Sequence, residues 1–298
     1  PDSAAFLLRE KLANQFNVHI SNVTVGAGSE GVMSAIMRTF LRQGDEIIGA
    51  ENSFIGFRVL ANASGNRINW VPLKNYCHDL DAMTKCINDY TKLIYLANPD
   101  NPTGTYFTIE EFDVFMDRVP ERVLVILDEA YFEFSGQTVT GLLGDFSNLI
   151  ILRTFSKALA LPSLRLGYVM AHPELIKQLA KIRGPFDINS AAVVAAKVQL
   201  ENPEGWQSLT RHLMDEVKPA LETFFRENEI RFYPSSANFM LVEMMDAKSA
   251  ADYLKSQGIL VRLMHPPLEN TFRMSLRRMT EMEHFMNVFK GYLEKHAH

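Results

Sequence analysis

The stretch Leu149-Ile150-Ile151-Leu152-Arg153-Thr154-Phe155-Ser156-Lys157 joins a short apolar run to two hydroxyls and an amine, and Arg165 follows eight residues later. The four apolar residues at its start are typical of a buried strand. Lys157, just past this strand, is expected at the edge of an apolar pocket, where desolvation lowers the pKa of an amine and makes it nucleophilic. The hydroxyls of Thr154 and Ser156 and the guanidinium of Arg165 are suited to binding a phosphate.

A nucleophilic amine beside a phosphate site is the combination that pyridoxal phosphate requires, because this cofactor forms a Schiff base with a lysine. The same residue types also occur on solvated loops, so the stretch alone leaves both interpretations open. Residues 124–131 favour the first one, since they form an apolar strand that ends in Asp128. A carboxylate at the C-terminal end of such a strand faces the ligand-binding crevice, where it can keep a pyridinium nitrogen protonated.

A third apolar run, residues 93–97, leads into the turn Asn98-Pro99-Asp100-Asn101-Pro102-Thr103-Gly104. Proline and glycine punctuate this turn and predict that the strand ends there. Five polar side chains therefore each follow a predicted strand. In chain order they are Asn101, Asp128, Tyr131, Lys157 and Arg165.

The motifs N-P-D-N-P-T-G, D-E-A-Y and T-F-S-K-A-L-A-L-P-S-L-R-L-G-Y, in this order, resemble those of the fold-type I pyridoxal-phosphate enzymes, among them the class I and II aminotransferases. They are most similar to the histidinol-phosphate aminotransferase family. The resemblance extends from Pro1 to about Gly291. It implies pyridoxal 5'-phosphate as cofactor, a homodimer, and an α/β fold in which a large domain with a mostly parallel mixed sheet, flanked by helices, precedes a smaller C-terminal α+β domain.

The order of predicted elements independently indicates α/β architecture with a largely parallel sheet over residues 20–172. After a helix that follows the turn at residues 26–30, we predict strands at 46–50, 68–73, 93–97, 123–127, 149–152 and 166–170. Two long helical runs follow, and from residue 230 the pattern is β, β, α, β, β, α, with strands predicted at 231–233, 239–243, 259–263 and 272–276. We expect a large cofactor-binding domain over residues 1–204 and a small domain over residues 205–298.

The composition excludes several classes of protein. A formal charge of −5 gives no basic face for nucleic acid, and no apolar run approaches the ~18 residues of a membrane span. Cys77 and Cys86 lack a metal-ligand spacing and favour a reducing cytoplasm over a disulfide scaffold. The eight histidines form no ligand pattern, so no metal site is expected.

Two further segments are suited to the cofactor. Gly26-Ala27-Gly28-Ser29-Glu30 precedes a helix, whose free N–H groups and positive dipole end can bind an anion, although such a turn is often only a turn. By resemblance it is the phosphate cup, with Ser29 and Glu30 contributing backbone N–H groups. By the same resemblance Phe54 stacks on the pyridine ring, with Phe57 as the competing candidate and an ordinary core aromatic as the alternative.

The resemblance also assigns roles around the ring. Asn101 and Tyr131 hydrogen-bond its phenolic oxygen, Asp128 pairs with its nitrogen, and Lys157 carries it and moves the substrate proton. A structural salt bridge at Asp128 and a simple turn role for Asn101 are the alternatives.

Three residues near the C-terminus are expected to bind substrate. A guanidinium grips a carboxylate bidentately, and Arg273, within a predicted strand, matches the arginine that holds the α-carboxylate across the superfamily. Arg262 matches an arginine that binds the phosphate of histidinol phosphate. Asn238 also matches a family position, with a less defined role.

The resemblance implies an aminotransferase that moves an amino group between histidinol phosphate, or an aromatic amino acid, and 2-oxoglutarate. A threonine-phosphate decarboxylase-like lyase shares the motifs, and a pyridoxal-phosphate-sensing regulatory domain is the alternative from another class. The family's N-terminal arm is missing from the sequence, so we expect a fragment, and a folded but inactive protein is a further alternative.

Overall fold

A computed structural model describes residues 2, 4–184 and 186–296 of the chain. Five residues lie outside the described ranges: Pro1, Ser3, Pro185, Ala297 and His298. They include the first residue of the expected large domain and the last residue of the expected small domain. No helix in these ranges is both long and apolar enough to cross a membrane.

The larger of two sheets has seven strands. In chain order they are β1 (Val23–Gly26), β2 (Glu46–Ala50), β3 (Arg67–Val71), β4 (Thr91–Ala97), β5 (Leu124–Asp128), β6 (Leu149–Thr154) and β7 (Gly167–Ala171). Across the sheet they follow the order β1-β7-β6-β5-β4-β2-β3. Strand β7 pairs antiparallel with β1 and β6, whereas the other neighbouring pairs are parallel. The predicted α/β fold with a mostly parallel mixed sheet is confirmed.

The central strands are buried on both faces, which explains their continuous apolar runs. In β4, Ile94 and Leu96 pack into one hydrophobic cluster, while Leu93, Tyr95 and Ala97 pack into another on the opposite face. Successive side chains of a strand point to opposite faces, so each strand serves both clusters.

Helices connect and flank these strands. They are α1 (Phe6–Gln15), α2 (Gly28–Phe40), α3 (Ile55–Ala63), α4 (Leu80–Lys85), α5 (Ile109–Met116), α6 (Phe132–Ser135), α7 (Pro173–Ile182) and α8 (Ser190–Glu201). Side chains of the sequence fix the first turn of α5. The Glu111 N–H donates to Thr108 Oγ1, and the Thr108 N–H donates to the Glu111 carboxylate. This reciprocal capping satisfies two N–H groups that the first turn leaves unpaired.

The C-terminal part forms a separate three-stranded antiparallel sheet in the order β8-β10-β9. Its elements are α9 (Glu204–His212), a π-helical turn (Leu213–Val217), α10 (Lys218–Glu227), β8 (Phe239–Glu243), α11 (Ala247–Ser256), β9 (Arg262–Leu263), β10 (Thr271–Ser275) and α12 (Met279–His296). The expected boundary at residues 204–205 falls at the first turn of α9.

Three local predictions differ from the structure. Residues 231–233, predicted as a strand, form only a single bridge between Phe232 and Val242. The strand predicted over 259–263 is reduced to β9. Conversely β1 was not predicted, because its sequence Val-Thr-Val-Gly lacks the continuous apolar run of the central strands.

Candidate active site

The carboxyl ends of β4, β5 and β6 open onto a cavity of about 270 Å³, at the edge of the sheet where α/β proteins bind ligands. All the residues that the sequence assigned to the cofactor line this cavity. The lining consists of Ser29, Glu30, Phe54, Ala97, Pro99, Asn101, Asp128, Ala130, Tyr131, Thr154, Ser156, Lys157, Pro162 and Arg165.

Asp128, the last residue of β5, brings a buried carboxyl group to the floor of the cavity. Its Oδ2 accepts a 2.8 Å hydrogen bond from the Tyr95 hydroxyl, and its Oδ1 accepts one of 3.0 Å from the Ala130 N–H. Burial raises the pKa of Asp128 to about 6, against the lowering effect of these two donors and of Lys157. The carboxyl group is therefore poised to gain stability from a cation, such as a protonated ring nitrogen.

The opposite end of the cavity is built for an anion. Helix α2 begins at Gly28 and directs its free N–H groups there. Gly28 has φ +75°, and a Cβ at this position would lie 2.8 Å from Arg165 Nη2, so only glycine allows the guanidinium this close. Arg165 Nη2 is 3.6 Å from Glu30 Oε2, which adds a charged side chain beyond the expected backbone contribution of Glu30.

The end of β6 and the loop after it carry two further hydroxyls. Thr154 Oγ1 donates a 3.0 Å hydrogen bond to Ser156 Oγ and accepts one of 3.1 Å from the Ser156 N–H. Both hydroxyls line the cavity, as the sequence predicted.

Lys157 also lines the cavity, and its Nζ lies 5.2 Å from the centroid of the Tyr131 ring. Its side chain is exposed. This exposure differs from the expectation of an apolar pocket around the amine. The Tyr131 ring itself is buried and packs edge-on against Phe239, with centroids 5.1 Å apart.

The structure separates the two aromatic candidates for ring stacking. Phe54, the N-cap of α3, lines the cavity. Phe57 is buried behind the sheet, where it stacks on Tyr95 with centroids 3.9 Å apart and an interplanar angle of 8°. Phe57 is thus a core residue, and Phe54 is the aromatic that can reach a ligand.

The turn that carries Asn101 packs against Ser235 and Ser236, which precede strand β8. Gly104 has φ +76°, and a Cβ there would lie 2.2 Å from Ser235 Oγ, so the turn requires glycine for this close approach. The Ser236 N–H donates a 2.7 Å hydrogen bond to the Gly104 carbonyl.

The three expected substrate residues lie outside the cavity lining. Arg273 is linked to it through a 2.6 Å hydrogen bond from Nη1 to Asn101 Oδ1. Arg262 lies directly opposite Arg273 in the β9–β10 pairing and is exposed. Asn238 instead lines a separate groove of about 830 Å³ between β10 and α12. The substrate role expected for Asn238 stays a prediction.

Tyr95 also belongs to this site, through its hydrogen bond to Asp128, and was not predicted from the sequence. A signal was present, since a phenol inside the apolar run 93–97 needs a hydrogen-bond partner when buried. The partner could not be read from the sequence, because it depends on the register that sets Tyr95 next to Asp128 across β4 and β5. Over the described ranges no group of His, Cys, Asp or Glu side chains could hold a metal ion.

Comparison with known proteins places this geometry in a family. Residues 3–289 match the aminotransferase class I and II family. The chain is 39% identical over 300 residues to histidinol-phosphate aminotransferase 2 of Hydrogenovibrio crunogenus, across 98% of this chain and 80% of that protein. It is 40% identical over 271 residues to histidinol-phosphate aminotransferase of Geobacillus sp. strain WCH70, across 88% and 73% of the two chains.

A solved structure shows the same fold. Histidinol-phosphate aminotransferase from Sinorhizobium meliloti, in complex with pyridoxal 5'-phosphate, superposes with a TM-score of 0.90 and is 26% identical. The superposition covers 98% of this chain and 83% of that one.

Proposed function

Because the chain belongs to the aminotransferase class I and II family, we propose that it moves an amino group between histidinol phosphate and 2-oxoglutarate. It is a pyridoxal-phosphate-dependent aminotransferase. The observation that supports this substrate is the pairing of Arg262 with Arg273 across β9 and β10, next to the Asn101 turn. Two adjacent guanidinium groups favour a substrate whose far end is a phosphate.

The residues of the cavity fit pyridoxal phosphate. A buried carboxyl with a raised pKa, Asp128, lies at one end, where a ring nitrogen needs a partner. A helix start, Arg165 and two hydroxyls lie at the other end, where a phosphate needs donors. A volume of about 270 Å³ is close to the lower end of the range for small-molecule sites, ~300–1,000 Å³.

When bound, pyridoxal phosphate supplies the electron sink that makes a substrate Cα–H bond acidic. We propose that Asp128 holds a proton at the ring nitrogen and that Asn101 and Tyr131 donate to the phenolic oxygen. Phe54 covers the ring face, and Ser29, Glu30, Thr154, Ser156 and Arg165 secure the phosphate. Lys157 Nζ would hold the cofactor covalently and would move the proton at the substrate Cα.

The substrate is tested with purified protein and three amino donors, each with 2-oxoglutarate: histidinol phosphate, phenylalanine and threonine phosphate. The proposal expects glutamate formation with the highest kcat/KM for histidinol phosphate. Release of carbon dioxide from threonine phosphate would identify a lyase, and a preference for phenylalanine would identify an aromatic aminotransferase.

The role of Lys157 is tested separately from the substrate. Borohydride reduction should abolish the visible absorbance of the bound cofactor and leave a pyridoxyl group that peptide mapping assigns to Lys157. A pyridoxyl group on another lysine, such as the exposed Lys177, would overturn the assignment.

We further propose a homodimer in the cytoplasm, with residues 1–204 as the cofactor-binding domain and residues 205–298 as the small domain. The exposed apolar side chains of Ile55 and Val59 on α3, next to Phe54, support a contact with a second copy. Both cysteines are free, as expected in a reducing compartment. Light scattering gives the mass that tests the dimer.

A further inference from the structure

Asp100 carries a fully buried carboxyl group that the proposed reaction does not use. It lies in the turn after β4, one residue before Asn101. A buried carboxylate is costly unless hydrogen bonds compensate for lost hydration. Its oxygens are well supplied: Oδ1 accepts a 2.6 Å bond from Ser53 Oγ, and Oδ2 accepts a 2.9 Å bond from Thr103 Oγ1.

The remaining neighbour of this carboxylate is His78, which is also buried. Its Nε2 lies 3.3 Å from Asp100 Oδ1. Three groups from separate segments thus converge on one side chain: Ser53 after β2, His78 before α4, and Thr103 within the turn itself.

The partners of Asp100 place it between two residues of the cavity wall. Ser53 directly precedes Phe54, and Asp100 directly precedes Asn101. Both Phe54 and Asn101 line the cavity. The Ser53–Asp100 hydrogen bond therefore ties the loop with the ring-facing aromatic to the turn with the ring-facing amide.

Hydrogen bonds also fix the other side of the turn. The turn as a whole therefore cannot move to compensate for a change at Asp100. Thr103 Oγ1 and Thr105 Oγ1 are 2.7 Å apart, and Thr105 Oγ1 donates a 2.8 Å bond to the Tyr76 carbonyl. The Asp100 N–H donates to the Thr105 carbonyl at 2.9 Å, which closes the turn on itself.

We propose that Asp100 is a positioning residue that sets Phe54 and Asn101 at a fixed separation across the cofactor ring, with Ser53 as the link between the two loops. The inference deepens the proposed function, on which it rests for the roles of Phe54 and Asn101. Losing the link lets the aromatic and the amide shift independently, so the ring is held less well and the geometry for Cα proton removal is degraded.

The test uses the cofactor-loaded protein and begins with Ser53→Ala, which removes one hydroxyl and keeps the buried carboxylate paired with Thr103. Ser64→Ala is the matched control, because the Ser64 hydroxyl lies at the other end of α3 and donates to the Ala61 carbonyl at 2.7 Å. Circular dichroism of the cofactor's visible band reports ring orientation, and absorbance titration gives cofactor affinity. Steady-state kinetics with the best amino donor separates kcat from KM.

For Ser53→Ala we expect a changed visible dichroism, a cofactor affinity weakened about fivefold and kcat lowered by a similar factor, with KM little affected. Ser53→Thr, which restores a hydroxyl, should recover most of each loss, and Ser64→Ala should match the wild type. Unaltered dichroism, affinity and kcat in Ser53→Ala, whether or not its melting temperature falls, would overturn the inference.

Asp100→Asn provides a second measurement, because the amide keeps an acceptor for Ser53 but offers Thr103 a donor. Its dichroism should lie between those of the wild type and Ser53→Ala, and an unchanged band would count against Asp100. The dichroism and cofactor affinity need no substrate, so failure of this inference is distinct from failure of the proposed reaction, which the wild-type assay reveals.

Discussion

Arg273 Nη1 donates a 2.6 Å hydrogen bond to Asn101 Oδ1, which joins the three-stranded sheet to the turn after β4. Because this donor occupies the amide oxygen, Asn101 Nδ2 is the atom that can donate toward a ligand in the cavity. Burial lowers the pKa of Arg273, and the neighbouring Arg262 lowers it further. Arg273 Nε is buried and has no hydrogen-bond partner among the described residues. A substrate anion would supply one.

The first prediction concerns this arginine. Arg273→Lys keeps the charge but loses the planar pair of donors, so it cannot hold Asn101 and a carboxylate together. We expect KM for 2-oxoglutarate to rise about 10- to 100-fold, as for the loss of a charged hydrogen bond. Arg277→Lys is the control, since Arg277 is exposed on the same part of the chain. Equal KM values for the two variants would contradict this role.

The second prediction separates the two ends of the cavity. Asp128→Asn should still bind pyridoxal phosphate but lose most of its turnover, because a neutral partner no longer favours the protonated ring nitrogen. Arg165→Ala should instead weaken cofactor binding by about 1.5–3 kcal/mol, the value of a charged hydrogen bond. Absorbance titration and kcat measured at saturating cofactor distinguish them. Similar changes in affinity and turnover for both variants would argue against this division.

The third prediction follows from the hydrogen bond between Tyr95 and Asp128. The Tyr95 hydroxyl lowers the pKa of Asp128, which burial has raised to about 6. Tyr95→Phe should therefore move that pKa upward. Since a ring cation binds the carboxylate form, cofactor affinity should weaken as the pH falls through about 6 in the wild type and at higher pH in Tyr95→Phe. Cofactor titrations between pH 5 and 8 test this prediction. If affinity falls at the same pH in Tyr95→Phe as in the wild type, the prediction is wrong.

How far the sequence predicted this molecule depends on burial. Strands β4, β5 and β6 are covered on both faces, so their apolar runs and the polar residues that end them were readable. Side-chain direction was not readable. The structure shows an exposed Lys157, and Asn238 lines a different groove from the cofactor residues, because side-chain direction is set by neighbouring elements rather than by position in the chain.

The part of the site that escaped prediction depends on contacts between distant segments. No local sequence pattern indicates that Ser53 and His78 contact Asp100. The three residues meet only because β2 and β4 are neighbours in the sheet. The resemblance favoured Phe54 over Phe57 for ring stacking, but no local pattern distinguished them. Their separation follows from the start of α3 at Ile55, which sends Phe57 to the core.

A fourth prediction concerns stability. Burial raises the pKa of Glu133 to about 8, and its Oε2 has no hydrogen-bond partner in the described ranges. A carboxyl whose folded pKa exceeds its unfolded value of ~4.3 binds its proton more tightly in the folded state, so its stabilising contribution is lost as the pH rises toward 8.

The amide of the Glu133→Gln variant does not titrate. The unfolding free energy of the variant minus that of the wild type should therefore increase by about 1–4 kcal/mol between pH 5 and 8. Chemical denaturation at several pH values measures this difference. Glu227→Gln, at an exposed position, should show no such trend. A pH-independent difference for Glu133→Gln would mean that the buried carboxyl titrates normally.

The last prediction addresses the substrate's far end. Arg262 is exposed and lies opposite Arg273 in the β9–β10 pairing, so removing its side chain should leave the fold and the cofactor cavity intact. If Arg262 binds the distal phosphate, Arg262→Ala should lower kcat/KM for histidinol phosphate about 10- to 150-fold, as for a lost charged hydrogen bond, and change that for phenylalanine only slightly. Arg231→Ala removes another exposed arginine near the three-stranded sheet, paired with Glu243 at 3.4 Å, and should leave both substrates unaffected. An equal loss for phosphorylated and unphosphorylated donors would show that Arg262 acts on a part common to both, and the phosphate of the substrate would then need another partner.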